Sequence, residues 1–289
     1  MPDQADMLRQ LARSAAGAEA APSAPLKLLL VCSAKGGVGT TTVAVQLAAA
    51  LAELGRGSVL VDADLGRADA TSLLGLSPRI GLESLLEGRT GIESLLSCVA
   101  DGVRLLPAAW APSEPCQPTL SAGRRLISEL RRLPADSGWI VVDGGSRRSP
   151  MHDHLWQQAA RALMITTPDD VAVMDSYARI KSLATTGATT PIGILINRAG
   201  QTSLALEVQS RLEKSCRRFL SIAIEACGQL PQYAGLSSTE GRPATLPSRE
   251  PSITREFVRL ARRVAEVASP TRLPSTLTRS VSEAHFIPR

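Results

Sequence analysis

Ser33-Ala34-Lys35-Gly36-Gly37-Val38-Gly39-Thr40-Thr41-Thr42 lies between two segments of opposite character. Before it runs the apolar stretch Leu26-Lys27-Leu28-Leu29-Leu30-Val31, and after it the helix-forming Val43-Ala44-Val45-Gln46-Leu47-Ala48-Ala49-Ala50-Leu51. Strand, glycine-rich turn and helix in that order are the setting of a phosphate-binding loop. The glycines let backbone N–H groups turn inward, and the helix N-terminus behind them adds positive potential. The pattern G-x-x-x-x-G-K-[ST] is not met, however. Ala34 stands in the first glycine position and Thr40 in the lysine position, while Lys35 follows Ala34 directly.

The fold class follows from working outward. Apolar runs at 27–33, 58–63, 103–108, 139–143, 161–167, 192–197 and 220–226 read as strands. Helical patterns fill most of the gaps, notably 41–54, 121–133, 170–186, 202–217 and 253–268. This alternation predicts an α/β fold: one doubly wound, mostly parallel sheet with helices on both faces, in a single domain spanning 26–268. Residues 1–13 form a thin amphipathic helix with Met7, Leu8 and Leu11 on its stripe. Residues 14–25, rich in Ala, Ser and Pro, read as a linker, and 269–289 as a disordered tail.

Composition narrows the function classes. The 289 residues are 44% hydrophobic but only 3% aromatic, which suits an aliphatic core and argues against base stacking on single-stranded nucleic acid. The net charge of +5 is spread along the chain, so the arginine pairs 124–125, 131–132 and 147–148 read as solvated surface. Only Lys27, Lys35, Lys181 and Lys214 are lysines, so one of the four sits in the glycine loop. The five cysteines have no C-x-x-C spacing and read as buried thiols of a reducing compartment. His152-Asp153-His154 lacks a third ligand and reads as a polar helix start. No signal pattern opens the chain and no apolar run reaches the ~18 residues of a membrane span, which predicts a cytoplasmic location.

The polar residues of interest fall at the carboxyl ends of the expected strands, where such sheets bind ligands. One strand ends in Val61-Asp62-Ala63-Asp64 and another in Val141-Val142-Asp143-Gly144-Gly145. An aspartate there can hold Mg²⁺ directly or through water, orient an attacking water, or simply open a loop. Thr41 occupies the hydroxyl position of the loop, as a Mg²⁺ ligand, a helix-start threonine, or both. Ile194-Leu195-Ile196-Asn197-Arg198 ends in a planar amide suited to an adenine edge, or to a turn.

These residues together resemble the MinD/ParA group of deviant-Walker ATPases. Val61-Asp62-Ala63-Asp64-Leu65-Gly66-Arg67-Ala68-Asp69, Leu73-Leu74-Gly75-Leu76 and the segment from Thr166 to Lys181 are similar to its MinD and FlhG branch. Asp3-Gln4-Ala5-Asp6-Met7-Leu8-Arg9 resembles the D-Q-A-x-x-L-R segment of the FlhG (FleN, YlxH) family, which sets flagellar number and placement. The resemblance covers residues 3–268. It implies that Gln4, Leu8 and Arg9 contact FlhF, a GTPase of the signal-recognition-particle type. It implies ATP and Mg²⁺ as cofactors and an ATP-dependent homodimer. Backbone amides of Gly36, Gly37, Val38, Gly39, Thr40, Thr41 and Thr42 would cradle the phosphates, and Lys35 would reach the partner's nucleotide. Thr41, Asp62 and Asp143 would serve the metal, and Asp64 would orient the hydrolytic water. Asn197, Arg198 and Pro231 would face the base.

Three departures accompany the resemblance. Thr40 replaces the in-cis lysine, which implies weaker ATP binding and a weak ATPase. Ala34 adds a Cβ where glycine permits positive φ. The segment after Asp143 is Gly144-Gly145-Ser146 rather than the family's usual switch sequence. The G-G-V-G-T-T-T form also resembles accessory ATPases of cellulose and pilus machinery, so a non-hydrolysing nucleotide-binding scaffold is the alternative. The tail has a sparse stripe, Leu277, Val281 and His285 with Phe286 beyond it, which implies at most weak membrane association.

Overall fold

Eight strands join in one sheet in the order β3-β4-β2-β5-β1-β6-β7-β8. The computed structural model describes residues 26–109, 118–233 and 250–266. The expected N-terminal helix, with Gln4, Leu8 and Arg9, the linker and the tail lie outside the described residues. In chain order the elements are β1 (Leu28–Ser33), α1 (Thr40–Leu51), β2 (Ser58–Asp62), α2 (Asp69–Leu73) and α3 (Leu82–Leu86). Then come β3 (Ser97–Ala100), β4 (Val103–Leu106), α4 (Leu120–Leu130), β5 (Trp139–Asp143), α5 (Pro150–Gln158) and β6 (Arg161–Thr166). The last are α6 (Asp170–Ala184), β7 (Ile192–Ile196), α7 (Thr202–Leu220), β8 (Ile224–Gln229) and α8 (Pro251–Glu266). Every neighbouring pair is parallel except β3 with β4.

The central strands are apolar without alternation because both faces are covered. Leu28, Leu30 and Cys32 of β1 pack on the side of α3 to α7, and Leu29 and Val31 on the side of α1, α2 and α8. Helix α1 is buried almost all round, since α8 lies over it with Phe257, Leu260, Ala261 and Val264. The alanines Ala48, Ala49 and Ala50 keep that layer thin. The chain passes from β1 to β2 on one side of β1 and from β5 to β6 on the other. This order reversal opens a crevice at the carboxyl ends of β1, β2 and β5.

Two details differ from the sequence reading. The strand expected at 220–226 is displaced to Ile224–Gln229, because α7 continues to Leu220 and ends on Ser221 at φ 56°. The antiparallel edge strand Ser97–Ala100 was not expected; Ser97 and Cys98 are exposed, Val99 and Ala100 are partly buried, and its apolar run is only three residues long.

Two buried polar groups mark the sheet. Arg161 is fully buried at the start of β6 and crosses Gly193 of β7 to pair with Glu225 of β8. Gly193 is necessary there, because a Cβ would run into the Cys227 thiol and stand 3.3 Å from the Arg161 guanidinium. The Arg263 guanidinium of α8 also approaches Glu225, at 3.9 Å. His152, in the first turn of α5, is 4% exposed, and its Nδ1 lies 2.6 Å from the Oγ of the N-cap Ser149. It is therefore a structural histidine, as its helix-start position suggests.

Burial, reinforced by the positive charge of Arg179, pushes the His152 pKa down to about 4. The folded chain thus keeps a neutral imidazole where the unfolded chain, at about 6.5, gains a proton. Its contribution to stability is fully present above pH 6.5 and lost as pH falls toward 4. His152→Gln is expected to flatten the acid loss of the thermal midpoint between pH 6.5 and 4. Comparing the two chains isolates the imidazole, since every other titrating group is common to both.

Candidate functional site

The glycine loop connects β1 to α1 and needs left-handed backbone at two points, Gly37 (φ 77°) and Gly39 (φ 93°). Ala34 is not among the positive-φ residues, so its Cβ carries no such strain. Gly39 is the N-cap of α1 and supplies no side-chain cap, which leaves the first N–H groups of the helix available to an anion. A Cβ on Gly39 would collide with the Asn197 amide, whose Nδ2 donates to Val38 O at 2.7 Å. The end of β7 therefore holds the loop from beneath. Arg198, next to it, sits at φ 54°.

Thr40 lines the crevice, but its hydroxyl is turned toward β1. Its hydroxyl donates to Ser33 Oγ at 2.8 Å, and Ser33 Oγ donates to Lys35 O at 3.0 Å. This chain of hydroxyls staples the loop to the end of β1. Lys35 lies at the loop's outer edge, where its Nζ pairs with Asp169 Oδ1 at 2.9 Å. Asp169 also caps α6 by accepting from Ala172 N at 2.9 Å. The Thr167 hydroxyl, Lys35 and that N–H together hold its carboxyl down at about 2.

Beneath the loop, β2 and β5 pair so that Asp62 faces Asp143 directly across the ladder. Both are fully buried, and Asp64 is 4% exposed. Burial and the neighbouring Asp62 push Asp143 up to about 8, against the pull of the Thr41 hydroxyl and the Gly145 N–H. Asp62 is pushed up to about 6 by burial, against two hydrogen bonds from Thr71. Asp64 is raised by burial and by Asp69, offset by Arg147 and Arg67. One oxygen of each carboxylate, Asp62 Oδ1, Asp64 Oδ1 and Asp143 Oδ2, is buried without a hydrogen-bond partner. Such oxygens are costly unless a cation or a proton meets them.

These residues fit a hard divalent cation. Among the described residues no group of three His, Cys, Asp or Glu side chains could hold a metal unaided. That matches Mg²⁺, which takes one or two carboxylates and fills its remaining positions with water and phosphate oxygens. Asp143 and Thr41 would hold it, with Asp62 behind them.

A crevice of about 330 Å³ joins the two halves; its walls carry Gly36, Gly37, Gly39, Thr40, Thr41 and Thr42 on one side and Asp64, Arg67, Asp69 and Ser72 on the other. Arg198 lines it as well. Val38 is buried below the loop, and Pro231 is exposed past the end of β8.

Sequence reasoning passed over the residues that position the carboxylates. Thr71 donates its N–H and hydroxyl to Asp62 Oδ2, at 2.8 and 2.6 Å, and accepts from Ala108 N at 3.1 Å. Glu83, buried in α3, accepts from Ala109 N at 2.8 Å. The loop after β4 is thereby tied to Asp62 through Thr71. The signal available was the spacing alone: Thr71 lies nine residues beyond Asp62, within the first turns of α2.

A parallel sheet with a glycine loop at its switch point and carboxylates at the adjacent strand ends defines a P-loop nucleotide-binding fold. A family model described as ParA, NUBPL iron-transfer P-loop NTPase, matches residues 26–265. The chain is 32% identical to the antiactivator FleN of Pseudomonas aeruginosa over 207 residues, covering 72% of this chain and 74% of that one. It is 29% identical over 246 residues to the septum site-determining protein MinD of Synechocystis, covering 82% and 89%. The cell division ATPase MinD of Pyrococcus furiosus superposes with a TM-score of 0.67 at 24% identity, over 83% of this chain and 98% of that one. The chain belongs to the ParA/MinD-type P-loop NTPase family.

Two substitutions test this construction. Thr71→Val removes the hydroxyl from both Asp62 and Ala108 N, and is expected to lower stability in urea titrations by about 1–3 kcal/mol, with Thr71→Ser near the parent. Gly39→Ala forces the left-handed turn and the Asn197 contact together. It is expected to cost more than Gly36→Ala, where an added Cβ meets only Ser146 Oγ at 3.6 Å.

Proposed function

We propose that the chain is an ATP-binding, dimerising switch of the FlhG type, which controls flagellar number or placement through an SRP-type GTPase. The observation that carries this reading is the set of buried carboxylate oxygens without hydrogen-bond partners directly beneath a loop whose helix N–H groups are unclaimed. The two halves complement a Mg²⁺-nucleotide: one oxygen of each of Asp62, Asp64 and Asp143 is left without a hydrogen-bond partner, and the first N–H groups of α1 without a side-chain cap. Asp64, whose pKa burial raises from its ordinary value, is suited to accept a hydrogen bond from an attacking water. A bound Mg²⁺ supplies charge compensation at the transferring phosphate.

The dimer follows from Lys35. Its ion pair with Asp169 is about half exposed on both sides, and such pairs contribute only about 0–1 kcal/mol. The side chain is therefore cheap to redirect toward a nucleotide held by a second copy. ATP shifts the equilibrium toward the dimer to the extent that the paired site contacts it more. Relatives named FleN and MinD support the switch. The segment 3–9, with Gln4, Leu8 and Arg9, supports the GTPase as partner. No helix among the described residues is long and apolar enough to cross a membrane. A cytoplasmic protein with at most peripheral membrane contact is part of the same reading.

A second reading, a nucleotide-binding scaffold without turnover, is favoured by Thr40. Its hydroxyl is spent on Ser33, so the lysine it replaces has no stand-in at that position.

Calorimetric titration with Mg-ATP distinguishes them. The switch requires binding at millimolar ATP or better, and ATP-dependent dimers that Lys35→Ala abolishes. Thr40→Lys is expected to tighten binding by roughly ten- to a hundredfold and to raise turnover. A peptide of residues 1–13 is expected to stimulate GTP hydrolysis by an FlhF-type GTPase, and the same peptide with Gln4→Ala is not.

A further inference from the structure

The crevice has an arginine on the wall that faces the glycine loop. Arg67 lies between Asp64 and α2, and lines the same cavity as Gly37, Thr40 and Thr41. Its partner is Asp69, with Nε 3.0 Å from Oδ2; the two side chains are 53% and 39% exposed. A pair so open to water is weak and exchangeable. The backbone that presents Arg67 is itself unusual. Arg67 N donates to Asp64 O at 3.2 Å, closing a turn, and Ala68 follows at φ 50° although it is buried and not glycine. A left-handed alanine persists only where its surroundings impose it, and such positions gather at ligand sites.

We infer that Arg67 supplies, from the opposite wall of the crevice, the phosphate-directed positive charge that Thr40 lacks. This rests on the nucleotide reading above. The other cations of the region are placed differently. Lys35 pairs with Asp169 outside the cavity lining, whereas Arg67 is part of it. Arg198 also lines the crevice, directly after Asn197 at the end of β7, and sits at φ 54°. Arg147 is exposed and off the cavity wall, although its charge reaches Asp64. Around Arg67 itself the charged groups are Asp64 and Asp69, both carboxylates. A polyphosphate entering the crevice would compete with Asp69 for the guanidinium, and a planar fork suits phosphate oxygens.

The test is a double-mutant cycle in the full chain, read by calorimetric titration with Mg-ATP. Arg67→Gln keeps a polar, hydrogen-bonding side chain, though a shorter one, and removes its charge. It is expected to raise Kd by about tenfold or more in the parent chain, with an unchanged thermal midpoint without ligand. In a Thr40→Lys background, where the in-cis charge is restored, the same change is expected to cost less than about threefold. Asp69→Ala, which frees Arg67, is expected to leave Kd unchanged or lower it. An equal penalty in both backgrounds overturns the compensation, as does no penalty in the parent chain. A loss with Asp69→Ala as large as that with Arg67→Gln would show that the ion pair matters for structure alone, and also overturns it. If the parent chain binds no Mg-ATP, the nucleotide reading falls and this inference with it; if it binds and Arg67→Gln binds equally, only the inference falls.

Discussion

Two carboxylates side by side in an apolar sheet are the constraint on which the rest of the molecule depends. The parallel register of β2 with β5 sets Asp62 opposite Asp143, where neither solvent nor a basic side chain compensates them. Burial, and after it the charge of Asp62, pushes Asp143 up to about 8. Such an arrangement is unfavourable for the empty protein and favourable for a cation-loaded one. The surrounding architecture limits that cost. Thr71 satisfies one oxygen of Asp62, Gly145 N–H one oxygen of Asp143, and the apolar layers on both faces supply the stability that the site consumes.

The same economy explains the loop. It contains one lysine, and that lysine points outward to Asp169. The backbone N–H groups at the start of α1 are left without a side-chain cap. The hydroxyls of Ser33 and Thr40 fix the loop to β1 and contribute little electrostatic attraction of their own.

Much of this was legible in the residue order. The central strands declared themselves because burial on both faces leaves uninterrupted apolar runs, as in Leu28–Val31 and Val59–Val61. The aspartates at their ends, and the glycines at positions of positive φ, could be placed once the strands were. The edge was less legible. Ser97–Ala100 has an apolar run of only three residues, with Ser97 and Cys98 exposed, and the start of β8 was masked by the last turn of α7. Side-chain commitments could not be read at all. That Thr40 turns to Ser33, that Asn197 grips Val38 O, and that Thr71 reaches Asp62 depend on rotamers and on elements distant in sequence. Gln4, Leu8 and Arg9 remain a reading of sequence alone.

The buried Arg161 has a consequence at the far border of the sheet. β8 is an outermost strand, and an outermost strand offers unpaired backbone groups to any other strand that meets it. Here Glu225, fixed from within by Arg161 and from above by Arg263, places anchored charge along that border. The register shift beside Gly228, at φ 126°, bends the strand out of a straight template. The border is thus unfit to recruit a ninth strand. Edge-to-edge aggregation at this border is thereby discouraged.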